Sequence, residues 1–108
     1  MKKFNPNYKM LYDMYEDSYF PDFLVDKIQE NILTLIAFLE SDQKTTCQIQ
    51  KKLDEMTNAI NNLQEEFGEN DSEIETVARD SIATTIEYIL QYYNIEIDLE
   101  TAIGQRDW

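Results

Sequence analysis

Six carboxylates fall within the eleven residues from Glu65 to Glu75 (EEFGENDSEIE). At this density they could hold a hard cation, hold that cation against a phosphorylated substrate, or face a basic partner. The alternating Glu69, Asp71, Glu73 and Glu75 follow a calcium loop superficially and fail it where it is strictest. With Glu69 in the first place, the sixth is Ile74 where the sharp turn needs Gly, and the twelfth is Asp80 in place of a bidentate Glu.

A divalent-metal-dependent enzyme on a phosphorylated small molecule would set Glu-x-x-Glu or Glu-x-x-Asp pairs on neighbouring helices. Glu66 and Glu69 make one pair, with Glu73 or Asp80 as further ligands, but Gly68 lies inside it and no second pair follows. Phosphates also need Lys or Arg for neutralisation, and residues 54–108 offer only Arg79 and Arg106. Glu75 and Arg79, one turn apart, read as a surface ion pair. No metal and no other cofactor is expected, and this enzyme stands as the alternative reading.

The chain contains no histidine. That removes His-based acid–base catalysis, Ser-His-Asp and Cys-His pairs, and the Glu-x-x-His ligands of di-iron bundles. Cys47, the single cysteine, lies beside Thr45 and Thr46 near a helix start that could lower its pKa, but with no partner in the sequence it reads as inert. The protein is therefore expected not to be an enzyme.

The formal charge is −13, unevenly distributed. Residues 1–53 carry eight acids against seven bases, whereas residues 54–108 carry fourteen acids against two arginines. Such a field repels nucleic acid and anionic membranes and attracts basic proteins, polyamines and divalent cations. Solubility alone would also account for it.

Tyr8, Tyr12, Tyr15 and Tyr19 recur at steps of four, three and four, one aromatic stripe if the segment is helical. Two readings stay open: the rings seal the core with hydroxyls reaching water, or they face out as stiff contact surfaces. On the second reading Tyr12, Tyr15 and Tyr19 anchor a basic protein partner, and Glu65, Glu66, Glu69, Glu73 and Glu75 steer it. The function expected is that of a protein-binding module, an acidic immunity- or inhibitor-like protein. A homo-oligomer pairing through its tyrosine or heptad face is a further alternative, and the oligomeric state is open.

Helices must position these groups. A second helix runs from Pro21, suited to a first turn, to about Ser41, with Leu24, Ile28, Ile32, Leu35 and Leu39 as its stripe and Val25, Leu33, Ile36 and Phe38 widening it. Ser41 to Thr46 (SDQKTT) reads as a helix-to-helix turn. Ile49, Leu53, Met56, Ile60, Leu63 and Phe67 then form a heptad seam. Each contributes about 1.5–3 kcal/mol when fully buried, against about 0–1 kcal/mol for a surface ion pair. Packing therefore holds the fold.

Gly68, with Asn70 next, is the expected left-handed stop of this helix. Ser72 and Glu75 form a capping box opening a fourth helix with the stripe Ile74, Val77, Ala78, Ile82, Ile86, Ile89 and Tyr93. Asn94 stops it, and Asp98 caps a last short helix from Leu99 to about Arg106. The fold class is all-α, a compact bundle of about four helices plus a short C-terminal helix, in a single domain over residues 1–108. Length (108 residues), 43% apolar content and only two Gly and two Pro agree with that.

The start, Met1 to Tyr8 (MKKFNPNY), lacks a signal-peptide core, and one cysteine suits a reducing, cytoplasmic home. Ile32 to Leu39, the longest strongly apolar stretch, is far short of the about 20 residues that span a bilayer.

Three segments carry a likeness to a known family: Asp13 to Lys27 (DMYEDSYFPDFLVDK), Leu63 to Asp80 (LQEEFGENDSEIETVARD) and Arg106-Asp107-Trp108. Together they resemble the bacterial domain of unknown function 5713. The likeness covers most of the chain and implies a compact helical bacterial protein, with no activity or site residue attached. Separately, Ser18-Tyr19-Phe20-Pro21-Asp22 is similar to the Tyr-Tyr-Pro segment of colicin nuclease immunity proteins, which are small acidic helical bundles. This chain is longer and gathers its acid in the second half, so that likeness is an analogy for mechanism only.

Overall fold

The computed structural model describes residues 3–41 and 44–108. Helices are its only regular elements: α1 (Tyr12–Tyr15), α2 (Asp22–Glu40), α3 (Thr46–Glu69), α4 (Thr76–Tyr92) and α5 (Leu99–Ala102). Part of the expected turn between Ser41 and Thr46, and the first two residues, lie outside the described residues.

Helix α2 begins where Pro21, at φ −60° and ψ 131°, occupies the N-cap one position earlier than expected, with Asp22 in the dipole-favoured first turn. It buries Leu24, Val25, Ile28, Ile32, Leu35, Ile36 and Leu39, a face wider than one stripe. Leu33 faces outward at 44% exposure, and Phe38 is half-buried beneath the ammonium groups of Lys44 and Lys52. Helix α3 opens on a reciprocal capping box: the Thr45 hydroxyl accepts from the Gln48 backbone N–H at 3.1 Å, and Gln48 Oε1 accepts from the Thr45 N–H at 2.9 Å. At 24 residues it is about 36 Å long, which sets the 41 Å long axis of the molecule.

The heptad seam of α3 faces inward as its spacing requires. Leu53, Met56, Ile60 and Phe67 are buried, with Ile49 and Leu63 packed at the margins. Thr57, buried beside them, turns its hydroxyl back to the Leu53 carbonyl at 2.7 Å, so that this buried hydroxyl is paired. The most extensive helix contact is α2 on α3. Lys27 meets Glu66 while Lys52 overlies Phe38, so the two helices run antiparallel. Helix α1 packs on α4, and α5 touches both α3 and α4.

Three local expectations are corrected. Gly68 does not end α3, and no glycine takes a positive φ. Asp71 does so, at φ 57°, and the chain closes with Ser72 N–H on the Phe67 carbonyl at 2.9 Å and Asp71 N–H on the Gly68 carbonyl at 3.2 Å. This is a Schellman turn with aspartate in the left-handed seat, which Asp tolerates at small cost. Helix α4 starts only at Thr76, three residues too late for Ser72 to stand at its N-cap, and the Ser72 hydroxyl makes no hydrogen bond among the described residues. Glu75 caps instead, its own Oε1 accepting from the Val77 N–H at 3.2 Å. Glu75 and Arg79 accordingly form no ion pair; their link is the helical bond from the Arg79 N–H to the Glu75 carbonyl.

The third correction concerns the tyrosine stripe, because α1 is a single turn. Leu11, at φ 58°, precedes it, and the inward residues are Leu11, Met14 and Phe20 in place of the tyrosines. The Leu11 N–H donates to the Thr85 hydroxyl at 3.2 Å, fastening this segment to the middle of α4. Val77, expected in the α4 stripe, is exposed, whereas Ser81, Thr85 and Leu90 join Ala78, Ile82, Ile86 and Ile89 inside.

Two ends follow expectation. Asn94 takes φ 56° and ends α4 in a second Schellman turn, with Ile95 N–H on the Leu90 carbonyl at 2.8 Å. Asp98 caps α5 through the Thr101 N–H at 3.1 Å and hydroxyl at 2.8 Å, although α5 ends at Ala102 and not near Arg106.

Candidate functional site

Antiparallel pairing of α2 and α3 brings the start of α2, the end of α3 and the turn into α4 to one end of the molecule. Asp17, Asp22 and Asp26 come from the first of these, and Glu65, Glu66, Glu69, Asp71, Glu73 and Glu75 from the others. Nine carboxylates thus stand against Lys27 and Arg79. At the opposite end lie Lys3, Lys44 and Lys52, with Glu40 taken up by the Phe4 N–H at 2.7 Å and the Tyr93 hydroxyl at 3.1 Å. The carboxylates are therefore densest at one end of the long axis, an acidic pole.

Not every carboxylate of the pole is available. Both Glu66 oxygens accept from Lys27 Nζ at 2.8 Å, and Glu75 is turned toward its helix cap. Glu65, Glu69 and Glu73 are exposed. Among the described residues no three carboxylates come together as metal ligands.

The tyrosines have three different environments. Tyr19, 42% exposed, is at the pole: partial desolvation and then the charges of Glu73 and Glu75 hold its hydroxyl above the ordinary tyrosine range. The nearby Ser72 hydroxyl weakly opposes this but makes no hydrogen bond of good geometry. Tyr15 is half-buried and tied down, its hydroxyl donating to Asp26 Oδ1 at 2.5 Å with Gln29 Oε1 at 2.8 Å. Burial first, and the Asp26 contact second, push its pKa well up. Tyr12, 51% exposed, sits away from the pole beside Ser81 and Thr84, with Lys9 over its ring. Of the three anchors suggested by the sequence, the fold brings Tyr15 and Tyr19 to carboxylates of the pole, but Tyr15 is half-buried and bonded to Asp26, so only Tyr19 stands there exposed.

Phe23 is the residue sequence reasoning missed. It is 48% exposed in the first turn of α2, between Asp22 and Asp26 along the chain, and Lys27 Nζ lies 5.9 Å from its ring centre. Part of the signal was available, since Phe23 falls off the stripe of Leu24, Ile28 and Ile32. Tyr8 takes the sealing role left open by the sequence: it stacks on Tyr88 at 3.9 Å and 8°, in an aromatic cluster with Phe4 and Tyr92 that pins the N-terminal segment.

The sequence profile of a family of unknown function (DUF5713) matches residues 4–108. The chain belongs to that family. No curated protein and no solved structure matches it. For this DUF5713 chain the acidic pole, with Tyr19 and Phe23 standing out from it, is the surface whose chemistry is most distinct. No helix among the described residues is long and apolar enough to cross a membrane.

Proposed function

We propose that this protein is a binding module that sequesters or inhibits a basic protein, holding it at the acidic pole. The observation that carries the reading is an exposed aromatic ring, Tyr19, at the end of the molecule where the carboxylates gather, close enough to Glu73 and Glu75 to feel their charge. Exposed aromatic rings among carboxylates give a lysine- or arginine-rich partner both area and charge, and arginine in particular stacks on such rings. Phe23 supplies a second apolar contact, and Glu65 and Glu69 extend the field from α3. The exposed lone thiol of Cys47 suits a reducing bacterial cytoplasm as the place of action.

Steering of this kind acts on the encounter more than on the lifetime of the complex. With the partner in hand, stopped-flow mixing of a variant carrying Glu65, Glu69, Glu73 and Glu75→Gln should show association slowed about tenfold at low salt, converging on wild type as salt rises. Tyr19→Ala should instead speed dissociation. Association rates that ignore both salt and the four substitutions would sink the proposal.

A further inference from the structure

Arg79 and Arg106 are the only basic residues after residue 53, and both line one cleft of about 320 Å³ between α4, α5 and Trp108. Arg106 is already neutralised, its Nη2 lying 3.0 Å from Glu100 Oε1 and its Nη1 donating to the Ile103 carbonyl at 3.1 Å. Arg79 is not: among the described residues its guanidinium meets no carboxylate and donates only to the Thr76 hydroxyl at 3.0 Å. Asp80, its neighbour on α4, lines the same cleft and is held by no ion pair or side-chain hydrogen bond among the described residues. A guanidinium and a carboxylate thus face one cavity without satisfying each other.

We propose that this cleft binds a small zwitterion of the α-amino-acid type, its carboxylate on Arg79 and its ammonium on Asp80. Two cationic side chains, Arg79 and Arg106, balance two acidic ones, Asp80 and Glu100, in the lining of this cleft, inside a chain of charge −13. A polyanion would meet too few cations and a repulsive field, and a simple cation would meet Arg79. A zwitterion pairs with both groups at no cost in net charge. The volume is at the low end of the about 300–1,000 Å³ usual for small-ligand sites, which suits a ligand of this size. Ile103 and the Trp108 ring form an apolar wall for its side chain.

Trp108 is the single tryptophan, so its fluorescence reports on the cleft directly. Titrating the proteinogenic amino acids other than tryptophan and tyrosine, singly and with calorimetry alongside, should give a saturable change for at least one apolar member such as L-leucine. For L-leucine, 4-methylpentanoate and 3-methylbutylamine supply the des-amino and des-carboxyl controls, and each should bind at least tenfold more weakly. Arg79→Gln and Asp80→Asn, both at exposed positions and checked for folding by circular dichroism, should each weaken binding at least tenfold. The proposal is overturned if no amino acid changes the fluorescence or gives heat, if the des-amino analogue binds as well as its parent, or if the folded Arg79→Gln protein binds unchanged. The cleft shares Arg79 with the acidic pole, but the titration contains no partner protein, so neither result bears on that reading.

Discussion

Lys27 Nζ lies 2.8 Å from both carboxylate oxygens of Glu66, joining the first turns of α2 to the last turns of α3 at the centre of the acidic pole. The pair separates carboxylates that serve the fold from those that can serve a partner. Both side chains are partly exposed, at 43% and 33%, so water screens the attraction. Glu66→Gln should therefore cost less than about 1 kcal/mol in urea unfolding. It should also slow partner association less than Glu73→Gln, because the Glu66 charge is already compensated by Lys27.

Gly68 gives a sharp test of how α3 ends. It sits inside the helix with negative φ, and a methyl group added there meets nothing within 4 Å. Gly68→Ala should stabilise the protein by about 0.5–1 kcal/mol, by lowering unfolded-chain entropy and improving helix propensity. Were Gly68 the left-handed stop that its residue type suggests, the same change would destabilise. Denaturant titration gives the sign.

The two capping motifs of the sequence should part company in the same assay. Thr45→Ala breaks a reciprocal box and should cost about 0.5–2 kcal/mol. Ser72→Ala removes a buried hydroxyl that has no hydrogen-bond partner, and should leave stability unchanged or slightly raised. Equal losses at both positions would mean that Ser72 caps α4 after all.

The Tyr15 and Tyr93 hydroxyls, each raised first by burial and then by the carboxylate it bonds, Asp26 and Glu40, predict an alkaline limit. Below the ordinary tyrosine pKa of about 10 both states keep the proton, and the stabilisation is complete. Above it the unfolded chain ionises while the folded one holds its protons, so unfolding becomes easier as pH rises. Melting temperature should fall above pH about 10, and the Tyr15→Phe, Tyr93→Phe double variant should show a shallower fall.

Much of the helical plan was legible because it rests on single-helix periodicity. The α3 seam and the α2 stripe are decided by which side chains must leave water, and Asn94 and Asp98 act through bonds within a few residues. What was not legible needed knowledge of competing uses. Gly68, Asn70, Asp71 and Ser72 all suit a helix end, and the bond from Ser72 N–H to the Phe67 carbonyl, which fixes buried Phe67 at its level in the core, decides among them. The tyrosine spacing imitated a stripe, yet Leu11 and Met14 lie between the tyrosines and bury more cheaply, having no hydroxyl to satisfy. The pole was half visible. Its carboxylates were read from the α3–α4 turn, while Asp17, Asp22, Asp26 and Phe23 joined it only through the antiparallel return of α2.

The measurement that bears most directly on the binding role is affinity capture from the source organism's lysate at low and moderate salt, using three proteins. These are the wild type, the pole variant with Glu65, Glu69, Glu73 and Glu75→Gln, and a control with Glu30, Glu55, Glu87 and Glu96→Gln, which has the same net charge but an intact pole. A basic protein retained at low salt by wild type and control, released by moderate salt and lost from the pole variant, is the expected result. Identical recovery by the two variants would contradict it, since the acidity would then act by its total and not by its place.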